Sequence, residues 1–176
     1  MENKSTSNTD PNAITLATWV YLLHDYGNTS DNGDVAAACE TVSGSGGEED
    51  GEQAGLALVQ AVETVLADAQ GEVDAAARLL FGERLGDAFH TGSRAERLGR
   101  IRKYQFTKQL PWLAYVWERK PENEVRPGWV IVEQVTDIVR VMDPNPWDEL
   151  DEQRQISTGD FMVLWELGQC RCAVVS

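Results

Sequence analysis

The spacing of apolar residues changes along this chain of 176 residues, and the change limits the folds that it can adopt. Between residues 54 and 80, apolar side chains recur every three or four positions, which is the period of one helix face. In the last third they fall in short segments rich in Val, Ile and aromatic residues, separated by turn residues. The pattern therefore predicts an α+β protein that is helical over its N-terminal two thirds and built of strands after that.

Four segments of the last third predict antiparallel strands, at residues 129–134, 137–142, 161–166 and 170–175. The third of these strands is entered through residues 156–163, Ile-Ser-Thr-Gly-Asp-Phe-Met-Val. This segment resembles the beginning of a strand in small β-barrels of the SH3-like type. This resemblance implies a small antiparallel β-barrel or curled sheet, and it implies no function, because such barrels serve many roles. The predicted core residues of the sheet are Val130, Val132, Val139, Val141, Val163 and Trp165.

Composition divides the chain into four predicted segments. The second of them combines Gly and Ser residues with carboxylates, a composition typical of a flexible linker. The segments are an acidic N-terminal arm (1–42), the linker (43–53), a helical region (54–120) that contains a basic segment (94–120), and a small barrel-like region (121–176).

One amphipathic helix is predicted within the acidic arm, at residues 11–26. Asp10 is a suitable N-cap and Pro11 suits the first helical position. Because the apolar stripe of this helix cannot bury itself, we expect the helix to dock on another surface, in its own chain or in a neighbour. The predicted partner contacts are Trp19 and Leu23 on this helix, together with Trp147 in an acidic loop.

Positive charge is concentrated in the basic segment. Eight of the fifteen Lys and Arg residues lie there, opposed by Glu96 and Glu118. The formal charge of the segment is +6 and that of the remaining chain is −20, which gives the net charge of −14. Because long-range fields follow summed charge, this asymmetry favours an anionic partner at one face. The chain's own acidic N-terminus is an alternative source of neutralising charge.

The basic residues support two hypotheses. Arg and Lys neutralise phosphates and Tyr stacks on bases, so residues 94–108 could bind nucleic acid. The same residues are typical of a solvated helix face or of a contact with acidic protein. We prefer contact with protein, because the rest of the chain repels a polyanion. The candidate contact residues are Arg94, Arg97, Arg100, Arg102, Lys103, Tyr104 and Lys108.

A second pattern bears on nucleic acid. Residues 71–80, Gly-Glu-Val-Asp-Ala-Ala-Ala-Arg-Leu-Leu, resemble the first helix of a helix-turn-helix of the Fis type. The chain departs from that pattern at Phe81, which precedes the expected turn glycine, and acids stand where a recognition helix would read bases. A helix that packs into a core explains the same residues, and we prefer that interpretation.

Few residues favour catalysis or a cofactor. His24 and its neighbour Asp25 do not face each other on a helix. His90 could be the centre of a divergent enzyme, and Ser93 after it suits the cap of the next helix. The acidic residues 143–152 could hold a hard cation, although two prolines favour a rigid connector. Cys39, Cys170 and Cys172 lack the spacing of a disulfide framework or a metal site, so we predict no cofactor and no metal.

The sequence thus predicts a non-enzymatic module for protein–protein interaction or assembly, as a component of a larger complex or particle. A protein partner or self-association is expected, nucleic acid is the alternative partner, and a divergent enzyme is the weaker alternative. No apolar run approaches the ~20 residues that cross a bilayer. We therefore expect no membrane partner and a cytoplasmic protein, or one within a soluble particle.

Overall fold

The computed structural model describes residues 10–86, 89, 91–119, 125–144 and 153–176. They contain six α-helices and one antiparallel sheet of five strands, so the α+β prediction is confirmed. The chain divides into two compact units, Met1–Gly82 and Glu83–Ser176. The boundaries predicted at residues 43–53 and near residue 120 both fall inside a unit.

The first unit is helical. Its core includes the Trp19 ring, which meets the Phe81 ring edge-on at a centroid distance of 5.3 Å. Two residues of the loop between its first and second helices hold the last turn of its fourth helix, since Ser30 Oγ and Asp31 N both donate to Leu80 O at 2.8 Å. The four helices are α1 (Pro11–Asp25), α2 (Gly33–Gly44), α3 (Glu48–Asp68) and α4 (Val73–Phe81).

Helix α1 begins where the sequence predicts. The Asp10 carboxylate accepts a hydrogen bond from Asn12 N at 2.9 Å, which satisfies one of the unpaired donors of the first turn. Its apolar stripe is buried, and Trp19 and Leu23 have 0% exposure. The helix therefore docks within its own unit. Trp19 and Leu23 are core residues rather than the partner contacts that were predicted.

Helix α3 corrects the predicted linker. The helix begins at Glu48, so only residues 45–47 of the segment 43–53 lie between α2 and α3. Glu48, Glu49 and Asp50 occupy its first turn, where the partial positive charge of a helix N-terminus stabilises carboxylates. The acidic residues that made this segment resemble a linker therefore favour the start of a helix.

Helix α4 supports the core interpretation of residues 71–80. Val73, Ala76, Ala77 and Leu80 are buried. The helix ends at Gly82, whose φ of +56° stops the helical path. A single 3-10 turn follows at Gly82–Arg84, so residues 82–86 contain no recognition helix.

The second unit is built on the sheet. Its strands lie in the order β4-β3-β2-β1-β5 and each neighbouring pair is antiparallel. The sheet has two edges, β4 and β5, and is not closed into a barrel, which corrects the expectation of an SH3-like barrel. The strands are β1 (Trp112–Arg119), β2 (Val125–Val135), β3 (Ile138–Met142), β4 (Gln153–Ser157) and β5 (Cys172–Ala173), with helices α5 (Arg94–Thr107) and α6 (Thr158–Leu167).

Helix α6 replaces the strand predicted at residues 161–166. Ser157 caps it, because its side chain accepts a hydrogen bond from Asp160 N at 3.2 Å. Residues 158–160, interpreted as the approach to a strand, form the first helical turn. Trp165 is buried as predicted, whereas Val163 is exposed because it lies on the outer side of the helix. The four other predicted core residues, Val130, Val132, Val139 and Val141, are buried.

The opposite error concerns strand β1. It lies inside region 54–120, which was predicted to be helical. It pairs with β2 along its whole length, from Trp112 opposite Val132 to Arg119 opposite Val125. One side of β1 faces α6, where the Trp112 ring lies 5.6 Å from that of Trp165, edge-on. An apolar run of this length has no clear period, so pairing with a neighbouring strand decides its structure.

The two units differ in charge. The helical unit contains 14 Asp and Glu residues against 2 Lys and Arg, whereas the second unit contains 15 against 13. Most of the net negative charge therefore belongs to the helical unit. None of the described helices is long and apolar enough to cross a membrane.

Candidate functional site

Helix α5 positions most of the predicted contact residues. Its start is fixed by a capping box, in which Ser93 Oγ accepts from Glu96 N at 3.2 Å and Glu96 Oε1 accepts from Ser93 N at 2.8 Å. The predicted cap at Ser93 is therefore confirmed. Ile101 and Tyr104 are the buried residues of the helix, so its charged side chains project from a helix held at its start and along one side.

Two of the predicted contact residues bind a carboxylate of their own unit. Arg94 Nε and Nη2 donate to Glu166 Oε2 and Oε1 at 2.8 and 2.6 Å, a bidentate pair. Arg97 Nη2 donates to Glu166 Oε2 at 2.6 Å, and its Nη1 donates to Gly92 O at 2.5 Å. Arg94 and Arg97 therefore join α5 to α6.

This ion cluster predicts a pH dependence of stability. The hydrogen bond from Arg94 lowers the pKa of Glu166, and Arg97 adds to the effect against partial desolvation. In the unfolded chain the Glu166 carboxyl has a pKa of ~4.3. In the folded protein Glu166 therefore stays ionised at pH values where the same carboxyl is already protonated in the unfolded chain. The stabilising contribution is present above the unfolded pKa and is lost as pH falls through the lower, folded pKa.

We expect stability to decline more steeply below about pH 4.3 in the wild type than in Glu166→Gln, whose amide does not titrate. Urea unfolding monitored by circular dichroism across this range measures the difference. Glu96, whose pKa is lowered by the Ser93 hydrogen bonds, titrates in both proteins and cancels in the comparison. Parallel pH profiles for the two proteins would contradict the prediction.

Arg100 and Tyr104 are also engaged within the unit. Arg100 Nη2 donates to the backbone oxygen of Thr91 and reaches Phe89 O at 3.5 Å. Tyr104 OH donates to Val175 O at 2.5 Å, and burial raises the pKa of this phenol. These two side chains hold the loop before α5 and the C-terminal segment, which leaves Tyr104 no face for stacking on a base.

The other basic residues at the C-terminal end of α5 lie near an exposed aromatic residue in sequence. Phe106 is 82% exposed, and Arg102, Lys103 and Lys108 are exposed near it in sequence. Residues three or four positions apart are neighbours on a helix surface, so Arg102 and Lys103 flank Phe106 on the same side. We call these four residues the Phe106 patch. Its three basic members, Arg102, Lys103 and Lys108, are the predicted cations whose side chains bind no described group of their own unit, unlike Arg94, Arg97 and Arg100.

A surface of opposite charge lies on α3 in the helical unit. Leu56 is 56% exposed, and Glu49 and Glu52 are exposed seven and four positions before it. This spacing places the three side chains on one face of the helix. We call them the Leu56 stripe.

A cavity of about 260 Å³ lies in the second unit, beside β1 and the turn after α6. Tyr115 and Trp117 project from the same face of β1, because they are two positions apart in a strand. The Arg171 guanidinium lies over the Tyr115 ring at 4.8 Å and over the Trp129 ring at 5.4 Å, within range of cation–π attraction. The described lining residues are Tyr115, Trp117, Leu167, Gly168, Gln169 and Arg171.

The turn beside this cavity is held in an uncommon conformation. Gln169 and Cys170 have φ values of +62° and +56°, the left-handed region that residues other than glycine seldom adopt. Each costs ~1–2 kcal/mol relative to the right-handed region. Sequence reasoning missed this site. The alternation of aromatic residues at Tyr115 and Trp117 is the signal that could have identified β1 and the cavity wall.

Some predicted residues lie outside those that the structure describes. They are Trp147, nearly all of the acidic loop that contains it, and His90. The three cysteines are buried thiols, and burial, with a smaller effect from Glu40, raises the pKa of Cys39 to about 11. Within the described ranges, no group of three or more His, Cys, Asp and Glu residues is placed to hold a metal ion.

Comparison with known proteins returned no similar protein: no family model, no curated protein and no solved structure matches this chain.

Proposed function

We propose that this protein is a non-enzymatic assembly module whose copies associate head to tail, with the Phe106 patch of one copy on the Leu56 stripe of the next. The observation that carries the proposal is a complementary pair of surfaces. Each has one exposed apolar side chain, and the charges beside the two are of opposite sign. Burying an apolar anchor provides affinity, and the surrounding charges select the partner and its orientation.

The energies favour a weak and reversible contact. Fully burying Phe106 would contribute ~1.5–3 kcal/mol, and association costs about 4 kcal/mol or more in lost freedom of motion. Exposed charge pairs add little each and are screened by salt. Association should therefore depend on protein concentration and weaken with salt. Because the two surfaces differ, the contact does not close on itself and leads to rings or chains of copies.

Nucleic acid is supported less well. Arg94, Arg97 and Arg100 bind groups of their own unit, which leaves three cations of the predicted segment around Phe106. Three phosphate contacts would contribute a salt slope of only about −2.7 for duplex DNA, and the net charge of −14 opposes the approach of a polyanion.

Charge reversal on each surface tests the assembly. We expect Arg102→Glu/Lys103→Glu and Glu49→Lys/Glu52→Lys each to abolish association of the full chain, because like charges then face each other. An equimolar mixture of the two variants should associate again, since the native surfaces of the two still match and their reversed surfaces carry opposite charges. Sedimentation velocity at low salt compares the wild type, the separate variants and their mixture. Added salt should dissociate the wild type.

The matched control is Asp50→Lys/Asp68→Lys, which changes the charge of α3 equally on its other side and should leave association intact. A wild type that is monomeric at every concentration, or a mixture that fails to associate, would refute the proposal. Titration with single-stranded and duplex oligonucleotides is the second arm. Saturable binding of an oligonucleotide that is lost in Arg102→Glu/Lys103→Glu would favour the nucleic-acid alternative over assembly.

A further inference from the structure

Strand β4 is the longer of the two edges of the sheet. It pairs with β3 over five residues without a shift of register, whereas the other edge, β5, has two residues. Among the described residues, no strand lies on the outer side of β4. Short length, a proline or a bulge commonly protects an edge strand from pairing with another chain. Strand β4 has none of these three features.

The hydrogen bonds of β4 decide which of its backbone groups point outward. Thr158 N donates to Asp137 O at 3.3 Å, one pair beyond the end of the strand. Along an antiparallel pair, residues alternate between bonding to the partner strand and pointing away from it. The backbone groups of Gln153, Gln155 and Ser157 therefore point away from β3. Gln155 lies at the centre of this row, and its side chain is exposed.

We propose that β4 pairs with β4 of a second copy about a two-fold axis at Gln155, so that two five-stranded sheets join into one. Gln155 then exchanges two backbone hydrogen bonds with Gln155 of the second copy, and Ser157 pairs with Gln153 of that copy. Both copies use the same surface, so the contact closes at a dimer. It is separate from the Phe106 patch and the Leu56 stripe and does not depend on the assembly proposed above.

The polar side chains beside the edge favour a second copy as the occupant. Gln155 lies opposite Arg140 of β3, and Arg140 Nη2 donates to Gln134 Oε1 at 2.8 Å, so a polar row crosses three strands. A two-fold axis sets the residue at its centre against the same residue. An amide suits this position, because it carries both donors and an acceptor and can bond to another amide. The polar row would thus continue across the axis into the second copy.

The charges near the edge do not oppose a second copy. Arg154 is the one charged residue of β4, and the two-fold pairing sets it opposite Ile156 of the second copy. The Arg140 residues of the two copies would lie three strand spacings apart, ~14 Å, which exceeds the screening length of ~8 Å at physiological salt. The second unit contains 15 acidic against 13 basic residues, so most of the charge that repels two copies belongs to the helical unit.

The background for the test is Glu49→Lys/Glu52→Lys, which lacks the head-to-tail contact. Five residues of strand bury too little surface for a tight dimer. We therefore expect the pairing at protein concentrations above those at which this background is monomeric, and sedimentation equilibrium of the full chain measures it.

Charge variants at the axis should identify the register. Gln155→Glu and Gln155→Lys should each weaken dimerisation by about tenfold or more, because like charges then stand directly opposite each other. An equimolar mixture of the two should dimerise, since opposite charges meet at the axis. The matched controls are Gln109→Glu and Gln109→Lys, which make the same changes at an exposed position after α5 and should dimerise normally.

Two further variants test the backbone geometry. Gln155→Pro removes an outward N–H, a position where an edge strand tolerates proline, and should weaken the dimer while the fold is kept. Gln155→Cys should form a disulfide between two copies in a glutathione buffer, whose oxidised form accepts the electrons. The Cα atoms of such a pair lie ~5.5 Å apart, within the range for a disulfide. The native cysteines are buried, and Gln109→Cys is the control.

The two proposals fail separately. If the head-to-tail contact does not form, the wild type and the background associate alike. If β4 does not pair with itself, the background stays monomeric at every concentration, and the edge is left to a strand of another protein or to none. A mixture of the charge variants that is no more dimeric than either alone would also overturn the pairing. So would equal disulfide formation in Gln155→Cys and Gln109→Cys.

Discussion

Replacing Trp165 by alanine should cost ~3–5 kcal/mol of stability, the range for removing a large aromatic side chain from a core. Trp165 has 0% exposure. Its ring lies 5.6 Å from that of Trp112, edge-on, and stacks on that of Phe161 at 6.2 Å. Its Nε1 donates to Arg171 O at 3.0 Å. The substitution therefore leaves a cavity between α6 and the sheet and removes one of the two donors to Arg171 O, which also accepts from Tyr115 N.

A loss of this size is a large fraction of the ~5–15 kcal/mol by which domains are stable. We expect the amides of β1 and β2 to lose most of their protection in hydrogen exchange of the full Trp165→Ala chain. Trp165→Phe keeps an aromatic ring and loses the indole N–H, so a smaller decrease is expected. Trp117→Ala is the matched control, because that tryptophan is only half-buried. Equal protection in Trp165→Ala and Trp117→Ala would show that the aromatic cluster is not a main source of stability.

The sequence predicted the features whose cause is local. The N-caps Asp10 and Ser93 lie next to the helices that they begin, and both were identified from residue type alone. The alternating Val residues of β3 likewise indicate a strand with one buried face. These signals act over a few residues, so they are present in the sequence whatever the rest of the chain does.

The errors concern apolar runs without a clear period. Residues 161–166 were predicted as a strand and lie in α6, whereas residues 112–117 were placed in a helical region and lie in β1. Both runs are continuous and short, so burial is compatible with either structure. The cap at Ser157 decides the first case and pairing with β2 decides the second.

The intramolecular partners of the predicted basic residues could not be identified from the sequence, for a related reason. Glu166 lies 72 residues from Arg94 and 69 from Arg97, so no local pattern shows that it binds them. The sequence identifies basic residues but not which of them remain at the surface. Only the fold separates the Phe106 patch from the arginines that join α5 to α6.

Gly168→Ala should destabilise the second unit through a single contact. A Cβ at this position would lie closer to the backbone oxygen of Tyr115 than any non-bonded contact allows. The φ of Gly168 is −85°, which every residue can adopt, so the backbone conformation adds no cost. Strand β1 and the turn after α6 must therefore move away from each other. Overpacking of this kind costs about 1–3 kcal/mol, occasionally more.

Gly159→Ala is the matched control, because it adds the same methyl group at the other end of α6, where the Cβ would meet nothing within 4 Å. Alanine in place of glycine within a helix should stabilise by about 0.5–1 kcal/mol, so the two variants should shift the urea midpoint in opposite directions. A Gly168→Ala protein as stable as the wild type would mean that the turn does not approach Tyr115 so closely, and the cavity would then have a different shape.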